Sequence, residues 1–489
     1  MKKLLLISIF LLAFVLRIWN LQGFPVGFTP DEASFGYDAY SILKTGKDQW
    51  GTPFPLVLKS FGDYKSPLYS YLTIPSVAVF GLNKFAVRLP NAIFGTLAVL
   101  ALYLLVKKLE IGKSASSSMW KLEILAALLL AISPWHISLS RGAFEANLTA
   151  FFLPLGIYLF LRNKYALSGI VLGLNLFTYH SAKFVTPIIL LALIFYAKEK
   201  IKKVVPTLLF FGIFLVLTFY TFTQGAGARV NERSITNGAL EDGAKIKIAL
   251  IQKGMNPILA RLLHNKYQVT AERFVKNYIQ YFSPRFLVFD GPAETTYGMV
   301  RGLGVLTYAE IIGMVALAFL ARKIKDKRLL LFLFFWLLIA PVPASLATGV
   351  GYAGNRVSTM IPVIQILAGW GIYLALQKYK YLKYLLVLAA IFGLGVFLNK
   401  YLIKSPIESA KGMLSGNLEI AQKIVLTSEK YDRLTVSKSL SEPQIYIAFA
   451  SKYDPAKYQE ASKNWNFEEL GVSWVDQMPE YSLGKFTFK

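Results

Sequence analysis

The sequence predicts a mainly α-helical, polytopic membrane protein that ends in a small soluble α/β domain, and three observations carry that expectation. Hydrophobic residues fill 55% of the 489 positions and charged residues only 17%, with a mean hydropathy of +0.47, whereas a soluble domain is about one quarter charged. Apolar runs recur near 3–20, 68–82, 86–106, 122–139, 146–161, 166–180, 184–197, 204–222, 303–321, 329–346, 357–377 and 383–399, several of them short for a span of roughly 20 residues. Short basic loops separate many of them: Lys107, Lys108, Lys113 and Lys121; Arg162 and Lys164; Lys198, Lys200, Lys202 and Lys203; Arg322, Lys323, Lys325, Lys327 and Arg328; Lys378, Lys380 and Lys383. A net charge of +25 spread in that way is the positive-inside pattern of a membrane protein and argues against a nucleic-acid partner.

The first run, 3–20, has the length of a signal peptide, but no small-x-small cleavage site follows and Arg17 interrupts its end, so a retained helix is expected. With Met1-Lys2-Lys3 inside, that helix delivers the acidic segment Phe28–Asp38 to the outer surface. If every run crossed, the basic clusters at 107–121 and 162–164 would share that outer side. All five clusters fall inside when the run 68–82, shortened and broken by Pro75, lies along or only dips into the outer interface. About eleven crossings result, or twelve to thirteen if short runs also span, with the N-terminus inside and the C-terminus outside.

The membrane part then covers 1–399, with external segments at 21–85 and 223–302. The second of these carries eleven basic and six acidic residues, and its helix-like stretches are punctuated at Ser283-Pro284 and Asp290-Gly291-Pro292; it is too long for a plain connector. From 400 to 489 the balance changes to twelve basic and eleven acidic residues. There Arg433–Val436 and Gln444–Ala450 read as strands flanked by helices, which predicts an extracytoplasmic α/β domain. No internal repeat is visible, which weakens an inverted-repeat transporter reading.

The chain has no cysteine, so disulfides, thiolate metal sites and a cysteine nucleophile are excluded. No Walker loop, Asp-x-Asp pair or Rossmann glycine pattern supports a nucleotide site. Candidate chemistry rests instead on interfacial acids and cations. Thr29-Pro30-Asp31-Glu32 fits a helix start, with Thr29 as cap and Glu32 closing a capping box. That cap leaves Asp31 without a structural task, and an ionisable group at the interface is a functional candidate by default. Asp63-Tyr64-Lys65-Ser66-Pro67 reads either as an interface anchor before a Pro-started helix or as a ligand-binding turn. Arg88, Arg141 and Arg356 lie at ends of apolar spans, where snorkelling and anion binding are both open. His136 and His180 stand near outer helix ends, and His264 has no spaced partner that would form a metal motif.

Taken together, Thr29–Ala33, Gly36–Tyr40, Asp63–Tyr69, Phe80-Gly81 and Ala86–Pro90 resemble glycosyltransferase family 39, the GT-C-fold group related to protein O-mannosyltransferases and lipid A aminoarabinose transferases. The resemblance continues more weakly at Ser133–His136, Ser140-Arg141, His264–Lys266, Asn277–Pro284, Asn355-Arg356 and Tyr453–Pro455. It implies a GT-C-type transmembrane catalytic domain in the cell membrane, with its site on the extracytoplasmic face. It also implies a polyprenyl-phosphate-linked sugar donor, a lipid, glycan or protein acceptor, and an inverting single displacement. By that resemblance Asp31 is the general base and Glu32 orients it or binds acceptor. Lys65, Arg88, Arg141 and Arg356, with Asp63, Tyr64 and His180, are then candidates for holding the lipid phosphate and sugar. No metal ligand is assigned, and dependence on a divalent metal is left open. A transporter or flippase of lipid-linked sugars, or a glycan polymerase or ligase, is the alternative. A transporter should place its charges near the midplane, whereas these motifs cluster at outer ends.

The orientation is testable because the chain has no native cysteine. Cysteines introduced at 63, 225 and 440 should react with an impermeant thiol reagent from outside, and those at 113, 200 and 325 should not. Labelling of position 113 from outside would overturn the eleven-span arrangement.

Overall fold

A computed structural model describes residues 2–109, 121–226, 234–294, 296–348 and 353–489; Lys113 of the first basic cluster lies outside the described residues. Each apolar run is a helix: α1 Lys2–Ile18, α3 Leu68–Phe80, α4 Lys84–Leu109, α5 Leu122–Ile132 with α6 Pro134–Ser140, α7 Thr149–Leu161, α8 Tyr165–Asn175, α9 His180–Ala197, α10 Ile201–Thr221, and the helices Tyr308–Leu320, Lys327–Ile339, Ile361–Lys378 and Leu382–Asn399. The acidic segment forms one more helix, α2 Pro30–Thr45. Among the described residues six helices are long and apolar enough to cross a membrane, or up to seven with the bent pair α5–α6 as one span, and α3, α7 and α8 are shorter apolar helices.

Burial separates centre from rim. The helical stretch Asn355–Lys378 has 83% of its apolar window buried, against 28% for Ile201–Gln224 and for Leu382–Glu408, so the first is a central pillar and the others present apolar faces outward, as spans in lipid do. The pillar packs backbone against backbone on the helix Tyr308–Leu320: a Cβ on Gly371 would lie 1.8 Å from the Gly313 carbonyl oxygen. Small residues at such crossings replace the missing hydrophobic driving force with close van der Waals contact.

The bend of 58° between α5 and α6 follows from Ser133-Pro134: the proline ring cannot continue the helix, and Ser133 caps α6 at the His136 N–H, 3.4 Å away. The bend frees the last carbonyls of α5, and Arg17 answers them, donating to Leu130 at 3.1 Å and Ala131 at 3.1 Å and meeting His136 Nδ1 at 2.8 Å. The arginine that ends the first apolar run and the first histidine are therefore partners inside the bundle. His264 closes the short helix Pro257–Leu263 of the segment 223–302, its N–H donating to Ala260 O at 2.9 Å.

The helix α2 is buried along most of its length. Phe28, Phe35, Tyr37 and Tyr69 share one core with Tyr446, Phe449, Tyr458, Trp465 and Phe486 of the C-terminal part, so the last ninety residues pack onto α2 itself. Their sheet is three-stranded, in the order β3–β5–β4, with β3 Leu434–Val436 parallel to β5 Phe486–Phe488 and β4 Tyr481–Leu483 antiparallel to β5. The strand expected at 433–436 is present as β3. The strand expected at 444–450 is instead the helix Pro443–Ser451. Pro443 opens it with a preset φ, and every residue from Pro443 to Phe449 is buried, so no polar face reveals a helical period in the sequence.

Two glycines separate packing from backbone propensity. Gly371→Ala should destabilise the detergent-solubilised protein by about 1–3 kcal/mol through overpacking. Gly395 lies in an outward helix, and a Cβ there would meet nothing within 4 Å; it should tolerate alanine or gain roughly 0.4–1 kcal/mol. Thermal unfolding of both variants checks the crossing; equal behaviour would refute it.

Candidate active site

The site begins at the α2 cap. Thr29 Oγ1 accepts from the Glu32 N–H at 3.3 Å and Glu32 Oε2 accepts from the Thr29 N–H at 3.2 Å, with Pro30 as the first helical residue. Glu32 does more than close the box. Its carboxylate is fully buried and takes a two-pronged ion pair from Arg88, Nε to Oε1 at 2.7 Å and Nη2 to Oε2 at 2.9 Å, with a further bond from the Ala143 N–H at 3.0 Å. Arg88 spends its remaining donors on Leu21, Pro25 and Gly27 carbonyls at 3.2, 2.9 and 2.8 Å. Arg141 is committed in the same way, to Leu16 O at 2.7 Å, Trp19 O at 2.6 Å and the Tyr401 hydroxyl at 3.2 Å, which caps the end of α1. Both arginines are buried and neither lines the cavity beside Asp31.

Asp31 turns the other way. Its side chain is 55% exposed, and Lys65 Nζ lies 2.6 Å from Oδ1 while the lysine itself is only 5% exposed. The short hairpin β1 Leu58–Lys59 and β2 Tyr64–Lys65, with Leu58 opposite Lys65, presents the ammonium. Phe35 and Phe61 flank it, at 5.0 and 5.3 Å from the ring centroids. Asp63 shapes that hairpin: its Oδ1 accepts from the Tyr64 N–H at 2.6 Å and its carbonyl from the Ser60 N–H at 2.7 Å. Burial, with Glu468 nearby, raises the Tyr64 phenol. Asp38, further along α2, accepts from the Gln49 N–H at 3.0 Å and fixes the loop behind the site.

Asp31 stands in the wall of a cavity of about 490 Å³, within the ~300–1,000 Å³ of small-molecule sites. Phe61, Phe144, Glu145 and Tyr297 form one side, and Glu442, Trp474 and Asp476 of the C-terminal part form the other. Sequence reasoning missed these residues. The available signals were slight: Glu145 follows Arg141 by one helical turn, and Glu442 precedes a helix-starting proline. His180 opens α9, which packs on the turn Asn355–Met360 that carries Arg356, and neither residue lines the cavity. Asn355 Nδ2 donates to the Tyr179 hydroxyl at 3.1 Å, Arg356 donates to Thr348 O at 3.0 Å, and Glu294 accepts from the Asn355 N–H at 3.1 Å. Burial pushes Glu294 up to about 7, against the pull of that bond and of Arg356. The turn Asn355–Met360 packs on Glu145–Leu148, so this group borders the cavity from behind. Among the described residues no three His, Asp or Glu side chains gather at metal-binding distance.

Comparison with known proteins places this geometry. Residues 64–221 match the family model of dolichyl-phosphate-mannose-protein mannosyltransferases. The fold is similar to that of ArnT from Cupriavidus metallidurans in the apo state, with TM-score 0.52, 11% identity and coverage of 92% of this chain and 84% of that one. The same protein bound to undecaprenyl phosphate matches over 98% and 96% of the two chains, with TM-score 0.50 and 11% identity. The apo oligosaccharyltransferase of Archaeoglobus fulgidus matches with TM-score 0.51 and 13% identity over 92% of this chain and 64% of that one. In its complex with an inhibitory peptide and a dolichol-phosphate, the archaeal enzyme is spanned over only 59% of its length. A search of curated proteins gave no significant match. The chain is thus similar in fold to these membrane proteins, and its segment 64–221 is similar to the mannosyltransferase family.

The two neighbouring acids should separate on mutation. Glu32→Gln or Arg88→Met breaks a buried pair and should cost roughly 3–5 kcal/mol, read as a large fall in unfolding temperature. Asp31→Asn removes a half-exposed carboxylate but leaves the buried Lys65 ammonium without its counter-ion, and should cost less, about 1–3 kcal/mol. Comparable losses at both positions would contradict this division.

Proposed function

We propose that the protein is a membrane glycosyltransferase that moves a sugar from a polyprenyl-phosphate carrier to an extracytoplasmic acceptor, with Asp31 as general base. The observation that carries the reading is the placement of Asp31: an exposed carboxylate on the cavity wall, paired with a buried lysine, on a helix end held by Glu32 and Arg88. The α2 N-terminus and Lys65 both favour the ionised carboxylate a base needs. In the step we propose, Asp31 takes the proton of the acceptor hydroxyl as its oxygen attacks the anomeric carbon. The bond from that carbon to the phosphate oxygen breaks, the phosphate leaves with the electron pair as polyprenyl phosphate, and the anomeric centre inverts. Lys65 is the cation nearest the departing charge. Glu32, Arg88 and Arg141 are positioning residues, and Arg356 and His180, behind the 145–148 turn, are the groups left for the carrier phosphate. The similarity to ArnT, a protein solved with undecaprenyl phosphate, and the mannosyltransferase match support this choice over a flippase. The proposal places the protein in the cell membrane with site and C-terminal part on the extracytoplasmic face.

Transfer of labelled sugar from polyprenyl phosphate, at matched amounts of folded protein, tests it. Asp31→Asn should lower the rate by roughly 10²–10⁴, while Thr29→Ala loses a cap worth about 1 kcal/mol and keeps most activity. Lys65→Ala should weaken donor use by an amount on the order of 1.5–3 kcal/mol, and Lys65→Arg should not restore it, because a planar fork replaces a point charge between Phe35 and Phe61. Near-normal transfer by Asp31→Asn would remove the base from the mechanism.

A further inference from the structure

Three helices of the segment 223–302, Ala239–Gln252, Pro257–Leu263 and Lys266–Gln280, contribute nothing to the lining of the cavity beside Asp31, yet they leave many large apolar side chains uncovered. They form one body, in which the first helix packs on both others. The Arg273 guanidinium of the third helix pairs with Asp242 of the first and donates to Ile235 O and Asn237 O, at 2.7 Å each. Gly243 comes close enough to the start of the third helix that a Cβ would lie 3.3 Å from the Asn265 carbonyl carbon. Ala239 and Gly243 are buried on this packed side.

Each long helix has a second apolar face that the packing does not use. Leu240, Ala244, Ile248 and Ile251 follow one another at steps of three or four residues and so share one stripe, away from Ala239 and Gly243. Tyr267, Ala271, Val275 and Ile279 make a second stripe at steps of four, while Val269 takes the buried side. Leu240, Ile248, Ile258, Leu262, Tyr267 and Ile279 are each more than half exposed. An uncovered apolar surface of that extent marks an interaction site.

Position and charge identify what covers it. The third helix is fastened to the end of Lys327–Ser345, one of the helices long and apolar enough to cross a membrane: Asn277 Nδ2 donates to Ser345 O at 3.3 Å and the Tyr278 hydroxyl to Leu338 O at 2.7 Å. Leu338 and Leu346 are themselves exposed, so Ile279, beside Tyr278, continues the apolar surface of a span that faces lipid. A second protein seated there would have to enter the headgroup layer beside Leu338, a place that lipid already fills. Residues 239–280 also hold seven basic and three acidic side chains. Arg273 is spent on Asp242, whereas Lys245, Lys247, Lys253, Arg261 and Lys276 form no ion pair among the described residues. Cations bordering an apolar helix face suit a bilayer surface with anionic headgroups.

We infer that these three helices are an interfacial platform that binds the bilayer surface, with the apolar stripes among the ends of the acyl chains and the basic residues on anionic phospholipid headgroups. The inference needs only that Lys327–Ser345 spans the membrane, and it stands apart from the transferase reading.

The full-length chain, which has no native cysteine, allows a direct test. Ile248→Cys, Leu262→Cys and Ile279→Cys, each carrying a polarity-sensitive fluorophore, would be reconstituted into nanodiscs of phosphatidylcholine, alone or mixed equally with phosphatidylglycerol. Phe335→Cys, at an exposed mid-span position, is the lipid reference, and Glu460→Cys, exposed on the C-terminal part, is the water reference. In phosphatidylcholine the three platform positions should be quenched by phospholipid carrying a nitroxide near its headgroup and should lose the quenching by iodide that Glu460→Cys shows. Phosphatidylglycerol should strengthen the lipid quenching. Replacing Lys245, Lys247, Lys253 and Arg261 together by Gln should remove that gain while the emission of Phe335→Cys, a check on the fold, stays unchanged. Iodide quenching equal to that of Glu460→Cys would place the stripes in water, and protection from both quenchers would mean that protein covers them; either result overturns the platform. So does an absence of any gain from phosphatidylglycerol when the four cations are intact.

Discussion

The fully buried pair of Glu32 and Arg88 is the interaction on which the region around Asp31 depends. Two charges removed from water carry a desolvation cost of several kcal/mol each, recovered only when geometry is good and every donor and acceptor is engaged. Here the carboxylate accepts from Arg88, the Thr29 N–H and the Ala143 N–H, and the guanidinium also reaches three carbonyls of the 21–27 segment. One pair therefore joins the end of α1, the start of α2, the outer end of α4 and the turn after α6. Asp31, the adjacent residue, inherits a rigid support without spending its own carboxylate on it.

That division explains what the cations do. A strongly basic chain with arginines at the ends of its spans invites the idea that each binds a phosphate. Arg17, Arg88 and Arg141 instead close backbone carbonyls left open by a helix bend, an irregular segment and a helix end. In a low-dielectric surrounding an open carbonyl costs more than at a wet surface, and a guanidinium with its five donors can satisfy several together. Lys65 differs: a compact ammonium between two rings, with a carboxylate on its open side.

Much of this was legible locally. The capping box at Thr29 and Glu32 could be read because it depends on four consecutive residues, and Asp31 stood out because the cap did not use it. Every apolar run became a helix because composition alone dictates that in a membrane. The roles of the arginines were not legible, since a guanidinium 61 to 125 residues from the carbonyls it serves leaves no trace in spacing. The segment 444–450 misled for a related reason. Its apolar β-branched and aromatic pattern suits a strand, but burial on all sides removes the polar face that distinguishes the two periods, and Pro443 was the signal that outweighed it. The cavity wall at 442 and 474–477 lies more than 400 residues from Asp31, and only the folded chain brings the two together.

The same long-range closure has a mechanical consequence. The Tyr37 hydroxyl donates to Tyr453 O at 2.9 Å and the Tyr446 hydroxyl donates to Phe28 O, so the middle and the start of α2 are each tied to the C-terminal part that carries Glu442. The helix that presents Asp31 is thus held on its inner side by Glu32 and Arg88 and on its outer side by the tyrosines. The helix that carries Asp31 and the segment that carries the opposite wall share one core and cannot separate without breaking it. Groups positioned within that core can hold a reacting hydroxyl to the tolerance that orientation demands, where an error of about 1 Å is costly. A C-terminal part that were merely tethered could not impose that tolerance, which is why its burial against α2 matters to the chemistry and not only to stability.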